Sequence, residues 1–175
     1  MKKWELWLEN INALDKDFIY YLKKKIIRKG ATKLEVEGHL NKAKRNLRFA
    51  KRVIDDFGDY YEWAVIAYYY AIYQSALSLC AHKSLKTKKH LATIMILIKF
   101  YYPKNINKSD LKTISESVAI EEQDIKEFIS LKDYREDAAY SISVNYEKSL
   151  AEDLGNKAID FVNKVEMIIK KDGAR

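Results

Sequence analysis

The sequence predicts an all-α protein whose helices pack as an antiparallel bundle. Turn-forming residues are scarce, with five Gly and one Pro among 175 residues, whereas a β-rich chain of this length needs more of them. Apolar residues recur every three or four positions along most of the chain, which is the spacing of an amphipathic helix. We expect six or seven helices, and the short loops between them favour antiparallel neighbours.

The first 57 residues contain three predicted helices. One is expected over residues 3–14, and a second continues to Gly30, a residue type that suits a helix stop. Thr32, followed three residues later by Glu35, forms a capping-box signature and opens a helix over residues 34–57. The apolar stripe of that helix comprises Leu40, Ala43, Leu47, Ala50, Ile54 and Phe57.

The next predicted helix, over residues 60–82, is apolar on nearly all sides. From Trp63 to Ala81, nineteen residues carry no charge, and that length is sufficient to span a bilayer. The Tyr, Gln and Ser side chains within it are polar for the middle of a membrane, whereas the central helix of a soluble bundle is apolar all round. We therefore predict a buried core helix and no membrane span.

Three further signals organise the C-terminal half. An apolar helix is expected over residues 88–102, and Pro103 ends it. Ser109 is expected to cap the helix that follows. A polar loop is predicted over residues 141–149, where Ser149 caps a last helix over residues 150–171.

The net charge of +7 is concentrated in the N-terminal third. Residues 16–52 contain thirteen Lys/Arg and three Asp/Glu, a net charge of +10. Such a surface can hold an anionic partner, with RNA or DNA as the first candidate. A solvated face of a lysine-rich protein explains the same charges equally well, so both interpretations stay open. The candidate RNA- or phosphate-binding residues are Arg45, Arg48, Arg52, Lys88 and Lys89.

Metal and cofactor motifs are not found in the sequence. One cysteine, Cys80, and three separated histidines, His39, His82 and His90, do not form the cluster that a zinc site needs. There is no glycine-rich phosphate loop. Cys80 lies in an apolar stretch, so we predict a buried, inert thiol, which is compatible with a reducing cytoplasm. The N-terminus has no signal-peptide pattern, and we expect a cytoplasmic protein without metal or cofactor.

Three short segments carry a resemblance to a known family. Residues 67–73 read AYYYAIY, residues 86–90 read KTKKH and residues 135–140 read REDAAY. In this order and spacing they resemble the HEPN families of bacteria and archaea, over roughly residues 36–171. The resemblance implies a four- to five-helix up-and-down bundle over residues 35–171, often a two-fold dimer. Residues 1–34 then form an added N-terminal helical arm, and residues 172–175 form a tail.

The resemblance also implies candidate catalytic residues. Many HEPN proteins are metal-independent ribonucleases in which an Arg is followed, four to six residues later, by a His. Arg135 matches the Arg, which would stabilise charge on the phosphate. An ion pair with Asp133 or Glu136 explains Arg135 equally well, so both interpretations stay open. Tyr140 stands where the His would be, and a phenol is a poor general base at neutral pH. His90, from another helix, is therefore the candidate that supplies the missing imidazole.

Two functions remain open at this point. The first is a HEPN-type RNA-associated protein, either a metal-independent ribonuclease or a toxin-like component of a toxin–antitoxin or defence pair with a minimal nucleotidyltransferase. The alternative is a non-catalytic nucleotide-binding or protein-interaction helical module. The expected partners are a second copy of the chain, a minimal nucleotidyltransferase and RNA.

Overall fold

Helices form nearly all the regular structure in the computed structural model, which describes residues 2–57, 60–116 and 148–173. The predicted all-α helical bundle is therefore confirmed. Helix α6 covers residues 108–116, up to the last described residue before the gap. In chain order the other elements are α1 (Lys3–Glu9), α2 (Ile11–Lys23), β1 (Arg28–Lys29), α3 (Lys33–Asp56), α4 (Tyr61–His82), β2 (Leu85–Lys86), α5 (His90–Tyr101) and α7 (Lys148–Gly173).

The centre of the bundle is α4, which packs against α3, α5 and α7. Ala43 of α3, Ala71 of α4 and Val162 of α7 form one buried cluster. These small side chains allow α4 to lie close to α3 and α7. By length and composition α4 is apolar enough to cross a membrane. However, 78% of its apolar 18-residue stretch is buried inside the protein. Burial on nearly all sides is what a central bundle helix requires.

The N-terminal arm joins the main hydrophobic core. Trp4 and Trp7 of α1, with Leu14 and Phe18 of α2, belong to the same buried cluster as the residues of α4 and α5. The indole Nε1 of Trp7 donates a hydrogen bond to Asp17 Oδ2 at 2.9 Å, which fixes α1 against α2. The arm therefore packs on the bundle, mainly against α5.

The predicted helix over residues 3–14 is wrong in its boundaries, because the chain breaks at Asn10. This residue ends α1 and begins α2. Its side-chain Oδ1 accepts a hydrogen bond from the backbone N–H of Ala13 at 3.0 Å, as an N-cap does. The apolar periodicity runs through the break without interruption, so it could not reveal the break.

The prediction that Gly30 stops a helix is also wrong. Helix α2 ends at Lys23, and residues 28–29 pair instead with residues 85–86 in a two-stranded antiparallel sheet. Gly30 follows this strand with a φ of +98°, a conformation that glycine adopts without strain. Its N–H donates to the carbonyl of Ser84 at 2.9 Å, which extends the connection between the two segments.

Two other predicted caps do not form. Asn107, not Ser109, caps α6, because its side-chain Oδ1 accepts from the N–H of Asp110 at 2.9 Å and the Asp110 carboxylate accepts from the N–H of Asn107 at 2.8 Å. Ser149 lies within α7, which already includes Lys148. The capping box of Thr32 and Glu35 at the start of α3 is confirmed.

Candidate functional site

The predicted site residues fall into three groups. Arg135 and Tyr140 lie outside the described residues. Lys88 and His90 line one groove, whereas Lys89 is exposed beside it and donates its backbone N–H to Thr87 Oγ1. Arg45, Arg48 and Arg52 are exposed on α3. The structure therefore brings together His90 and Lys88 and leaves the three arginines on a different surface.

The basic groove, as we call it, lies where the β1–β2 pair meets the first turns of α3, the C-terminal half of α4 and the start of α5. It encloses about 680 Å³. Among the described residues, four cationic side chains line it, against one carboxylate, Glu35. These cations are Arg28, Lys29, Lys86 and Lys88. An excess of positive charge in a concave surface attracts anions such as phosphate.

Glu35 connects two of the segments that form the groove. Its carboxylate accepts a hydrogen bond from Lys86 Nζ at 2.8 Å and another from the backbone N–H of Thr32 at 2.9 Å. The hydrogen bond from Lys86, followed by that from Thr32, lowers the pKa of Glu35 from 4.5 to about 2. Glu35 is therefore ionised at neutral pH and joins β2 to the start of α3. With Glu35 engaged by Lys86, the other three cations face the groove without a counter-ion from the described residues.

His39, one turn after Glu35 on α3, is the first of two imidazoles in the groove. Its Nδ1 lies 2.8 Å from Oε1 of Gln74 on α4. An amide oxygen only accepts hydrogen bonds, so Nδ1 carries the proton in this contact. In the neutral ring Nε2 is then the acceptor. Gln74 is buried, with 8% of its surface exposed, so a fixed group orients the ring of His39.

His90, the first residue of α5, is the second imidazole. Its ring lies over Tyr73 of α4 with a centroid separation of 4.3 Å, and 6.3 Å from the ring of Tyr69. The Nδ1 atom of His90 is buried, although the residue as a whole is partly exposed. The tyrosine rings therefore hold one edge of this imidazole inside the protein, while the side chain lines the groove.

Two other large concave surfaces lie along α3, outside the basic groove. A cleft of about 500 Å³ between α3 and α7 holds Arg48 and Lys51, but Asp55 and Glu152 balance them. A depression of about 440 Å³ on α3 is also basic, because Lys42, Lys44, Arg45 and Arg48 line it. Lys44 is paired with Glu166 at 2.7 Å. Among the described residues, neither surface has a histidine in its lining, and this distinguishes both from the basic groove.

Three tyrosines of α4 differ in where they lie. Tyr68 and Tyr69 are buried, with 5% and 2% of their surface exposed, as expected for core residues of a central helix. Tyr73 lines the groove beneath His90. Within residues 2–57, 60–116 and 148–173, no group of three or more His, Cys, Asp or Glu is arranged to hold a metal ion.

No local sequence pattern predicts that His39 belongs to this groove. It lies 51 positions before His90, and the two residues line the same groove because α3 and α5 both pack on α4. Arg28 and Lys29 were counted in the basic N-terminal third, but their place in the groove depends on pairing with residues 85–86. A sequence-based clue was the spacing of Glu35 and His39, which puts both on one face of α3.

One comparison with known proteins gives a family. A family model described as HEPN domain matches residues 36–168 of the chain. The match extends from the first turn of α3 into α7, and it includes both His39 and His90 while leaving Arg28 and Lys29 outside. No curated protein matches the chain.

Proposed function

The chain belongs to the HEPN domain family, and we propose that it is an RNA-associated protein that holds RNA phosphates in the basic groove. Membership of this family indicates an RNA-associated or nuclease-like function in general terms. The observation that supports the particular site is the charge of the groove. Among the described residues, Arg28, Lys29, Lys86 and Lys88 line it, and Glu35 is the one carboxylate there.

The cations of the groove suit a polyanion better than a small acidic ligand. Arg28, Lys29 and Lys88 are exposed, and they are carried by β1 and by the segment between β2 and α5. Several cations spread over two chain segments can each meet a different phosphate. Contacts of this kind give affinity without reading the base sequence, so we expect binding that depends weakly on sequence and strongly on salt.

Salt dependence and charge reversal test this proposal together. Three phosphate contacts on a single strand predict a slope of about −2 for log K against log salt concentration, which is about a twenty-fold loss of affinity between roughly 50 and 200 mM salt. The double variant Arg28→Glu/Lys88→Glu removes two contacts, and its slope should fall to about −0.7. Fluorescence anisotropy with a labelled single-stranded RNA measures both quantities.

Lys104→Glu/Lys108→Glu is the matched control, because it changes the net charge by the same amount on exposed residues outside the groove. Lys104 follows the far end of α5, a twelve-residue helix that is about 18 Å long. The control should bind RNA with nearly the wild-type slope. Equal losses in the two double variants would mean that net charge alone attracts RNA, and the groove would then not be the site.

The arginines of α3 extend the proposed RNA surface. Arg45, Arg48 and Arg52 are separated by three and four residues, so they share one exposed face of the helix. We propose that they steer RNA towards the groove. Arg45→Glu/Arg52→Glu should slow association at low salt, as rim charges do, and should leave the dissociation rate nearly unchanged. A dissociation rate that rises as much as it does in the groove variant would show that these arginines hold RNA directly.

We also propose the two protein associations that the family resemblance implies, a homodimer and a complex with a minimal nucleotidyltransferase. Phe57, Tyr60 and Trp63 at the α3–α4 connection are each more than half exposed, and an association would cover such apolar surface. Sedimentation of Trp63→Glu tests the dimer, with Ile19→Glu, also half exposed, as the control. Dimerisation that survives Trp63→Glu would place the interface elsewhere.

We propose that in the cell the protein is the toxin-like component of a defence pair. Expression of the chain alone should then arrest bacterial growth, and co-expression of a minimal nucleotidyltransferase should relieve the arrest. The groove variant Arg28→Glu/Lys88→Glu should no longer arrest growth at equal protein level, because the toxic step requires RNA. Growth arrest that persists in this variant would separate toxicity from the groove.

A further inference from the structure

We infer that the cleft between α3 and α7 binds a small zwitterion with an apolar body, namely a free α-amino acid with a hydrophobic side chain. The cleft is separate from the basic groove. Its lining residues belong to the second half of α3, the first half of α7 and one tyrosine of α4. The inference therefore goes beyond the proposed function and does not depend on RNA.

The first support is the hydroxyl of Tyr68. This tyrosine is 5% exposed and lines the cleft, and no described residue forms a hydrogen bond with its hydroxyl. Burial raises the pKa of the phenol, so the hydroxyl keeps its proton at neutral pH and can both donate and accept. Buried polar groups ordinarily have a hydrogen-bond partner, and a polar ligand in the cleft would supply one.

The second support is the glycine of α7 that lies against this phenol. A Cβ at Gly155 would lie 2.8 Å from Cζ of Tyr68 and 3.0 Å from its hydroxyl oxygen. The lack of a side chain at position 155 therefore allows the hydroxyl end of the ring to reach the cleft that both residues line. The cleft encloses about 500 Å³, which is within the range of small-molecule sites.

The third support is the order of the charges along the α3 wall. Arg48 and Lys51 are about one turn apart, and Asp55 follows about one turn later. Arg48 forms no ion pair with any described residue. Lys51 pairs with Asp55 at 3.1 Å, but both side chains are more than half exposed, and such a pair stabilises little and can open to a ligand. The wall therefore has cations at one end and a carboxylate at the other.

Glu152 of α7 adds a second carboxylate at the same end as Asp55. Lys44 of α3 pairs with Glu166 of α7 at 2.7 Å, and the cleft extends from this pair towards the C-terminal end of α3 and the N-terminal end of α7. The two helices therefore run antiparallel across the cleft, which places Glu152 near Asp55. The pair of Glu152 with Lys148, at 3.7 Å, is between exposed side chains, so it leaves the carboxylate available.

A free α-amino acid matches this arrangement of charges. The cationic and acidic ends are one to two turns apart, which is about 6–10 Å along the helix axis. The carboxylate and ammonium of the ligand, each with a charge-assisted hydrogen bond of about 2.8 Å, span this distance. The hydrophobic side chain would lie on the apolar residues of the lining, Leu47, Ile54 and Ile159. A ligand with one charge would leave one end of the cleft unmatched.

The test compares three probes that differ only in their charged groups. L-Phenylalanine has both charges, 3-phenylpropionate lacks the ammonium and 2-phenylethylamine lacks the carboxylate. Titrations of the full chain are followed in ¹H–¹³C methyl spectra, where shifts of Leu47, Ile54 and Ile159 locate the ligand in the cleft. L-Phenylalanine should bind about five-fold more tightly than either singly charged probe, because each lost ion pair with an exposed group costs up to about that factor.

Variants of the cleft provide a second readout. Arg48→Gln should weaken L-phenylalanine and 3-phenylpropionate but not 2-phenylethylamine, and Glu152→Gln should weaken L-phenylalanine and 2-phenylethylamine but not 3-phenylpropionate. Tyr68→Phe, which removes only the hydroxyl, should weaken L-phenylalanine about ten-fold, as the loss of a hydrogen bond to a charged group does. Arg45→Gln is the matched control, because Arg45 lies about one turn before Arg48 and does not line the cleft.

Three results would overturn the inference. The first is that neither L-phenylalanine nor L-leucine shifts the methyl groups of the cleft at millimolar concentration. The second is that a singly charged probe binds as tightly as L-phenylalanine, which would mean that the ligand is not a zwitterion. The third is that Tyr68→Phe, with a wild-type circular dichroism spectrum, binds L-phenylalanine as tightly as the control Arg45→Gln.

Discussion

The Nδ1 atom of His39 lies 2.8 Å from the Oε1 atom of Gln74, so a buried amide of α4 determines how a partly exposed ring of α3 presents itself to the groove. We expect Gln74→Leu, which keeps the size of the side chain but removes the acceptor, to release this orientation. The neutral ring of His39 should lose its preference for a proton on Nδ1. Long-range ¹H–¹⁵N correlation spectra of the neutral imidazoles measure the tautomer.

The same variant also separates the orientation of the ring from RNA binding. RNA affinity should stay within about two-fold of wild type, because the cations that line the groove are unchanged. His82 provides an internal control in the same spectra, since its Nδ1 contact is with Tyr101 and not with Gln74. A tautomer of His39 that does not respond to Gln74→Leu would contradict the described contact.

A second prediction concerns acid stability. The pKa of Glu35 is lowered in the folded protein from 4.5 to about 2, so the folded state binds its proton less readily than the unfolded chain. The stabilisation is fully present above pH 4.5, declines as pH falls below that value, and is lost near pH 2. Glu35→Gln should therefore lower the free energy of unfolding at neutral pH, and the difference from wild type should vanish towards pH 2.

Urea unfolding at several pH values measures this difference. Glu37→Gln is the matched control, because Glu37 is on the same helix and its pair with Lys33 is at 4.0 Å between exposed groups. Such a pair contributes little, so the control should follow wild type throughout the pH range. A constant difference between Glu35→Gln and wild type from neutral pH to pH 2 would show that the carboxylate charge is not responsible.

Gly38 and Gly155, both within helices, predict opposite effects of the same substitution. A Cβ at Gly38 of α3 meets nothing within 4 Å, whereas a Cβ at Gly155 of α7 would lie 2.8 Å from Cζ of Tyr68. Gly38→Ala should stabilise the protein by about 1 kcal/mol through helix propensity. Gly155→Ala should destabilise it by about 1 kcal/mol, because overpacking costs about 1–3 kcal/mol and exceeds that gain. Urea midpoints measure both, and equal stabilisation would contradict the close contact of α7 with Tyr68.

The N-terminal arm provides a fourth prediction. Trp7 is 1% exposed and belongs to the main core, so Trp7→Ala should destabilise the whole protein by about 3–5 kcal/mol. Unfolding followed by circular dichroism should remain one transition with a lower midpoint. Ile11→Ala, at a residue 62% exposed, should change the free energy of unfolding by less than about 0.5 kcal/mol. A separate early transition in Trp7→Ala would mean that the arm unfolds independently of the bundle.

Much of the fold could be predicted because the information is local. The apolar stripe of α3 and the cap formed by Thr32 and Glu35 are each contained in a short stretch of sequence. The predicted helix over residues 34–57 therefore agrees with the observed bounds, Lys33–Asp56, to within one residue. Asn10 was missed because apolar periodicity continues across the break, and the cap depends on a single side-chain hydrogen bond. The pairing of residues 28–29 with 85–86 could not be predicted, since two-residue strands have no alternation to detect.

The candidate site was only half predictable for a related reason. Lys88 and His90 stand together in the sequence and also in the groove. His39 and Gln74 are 35 positions apart, and their contact exists only after α3 has packed along α4. The family motif instead points to Arg135 and Tyr140, which lie outside the described residues.

The central claim is that RNA occupies the basic groove, and photo-crosslinking tests it most directly. Single-stranded RNA carrying 4-thiouridine is bound at low salt, irradiated and digested, and the crosslinked peptides are identified by mass spectrometry. The structure predicts crosslinks within residues 28–39 and 73–90, where His39, Tyr73 and His90 line the groove. Crosslinks confined to residues 45–52, 117–147 or 148–173, with residues 28–39 and 73–90 unlabelled, would contradict the account.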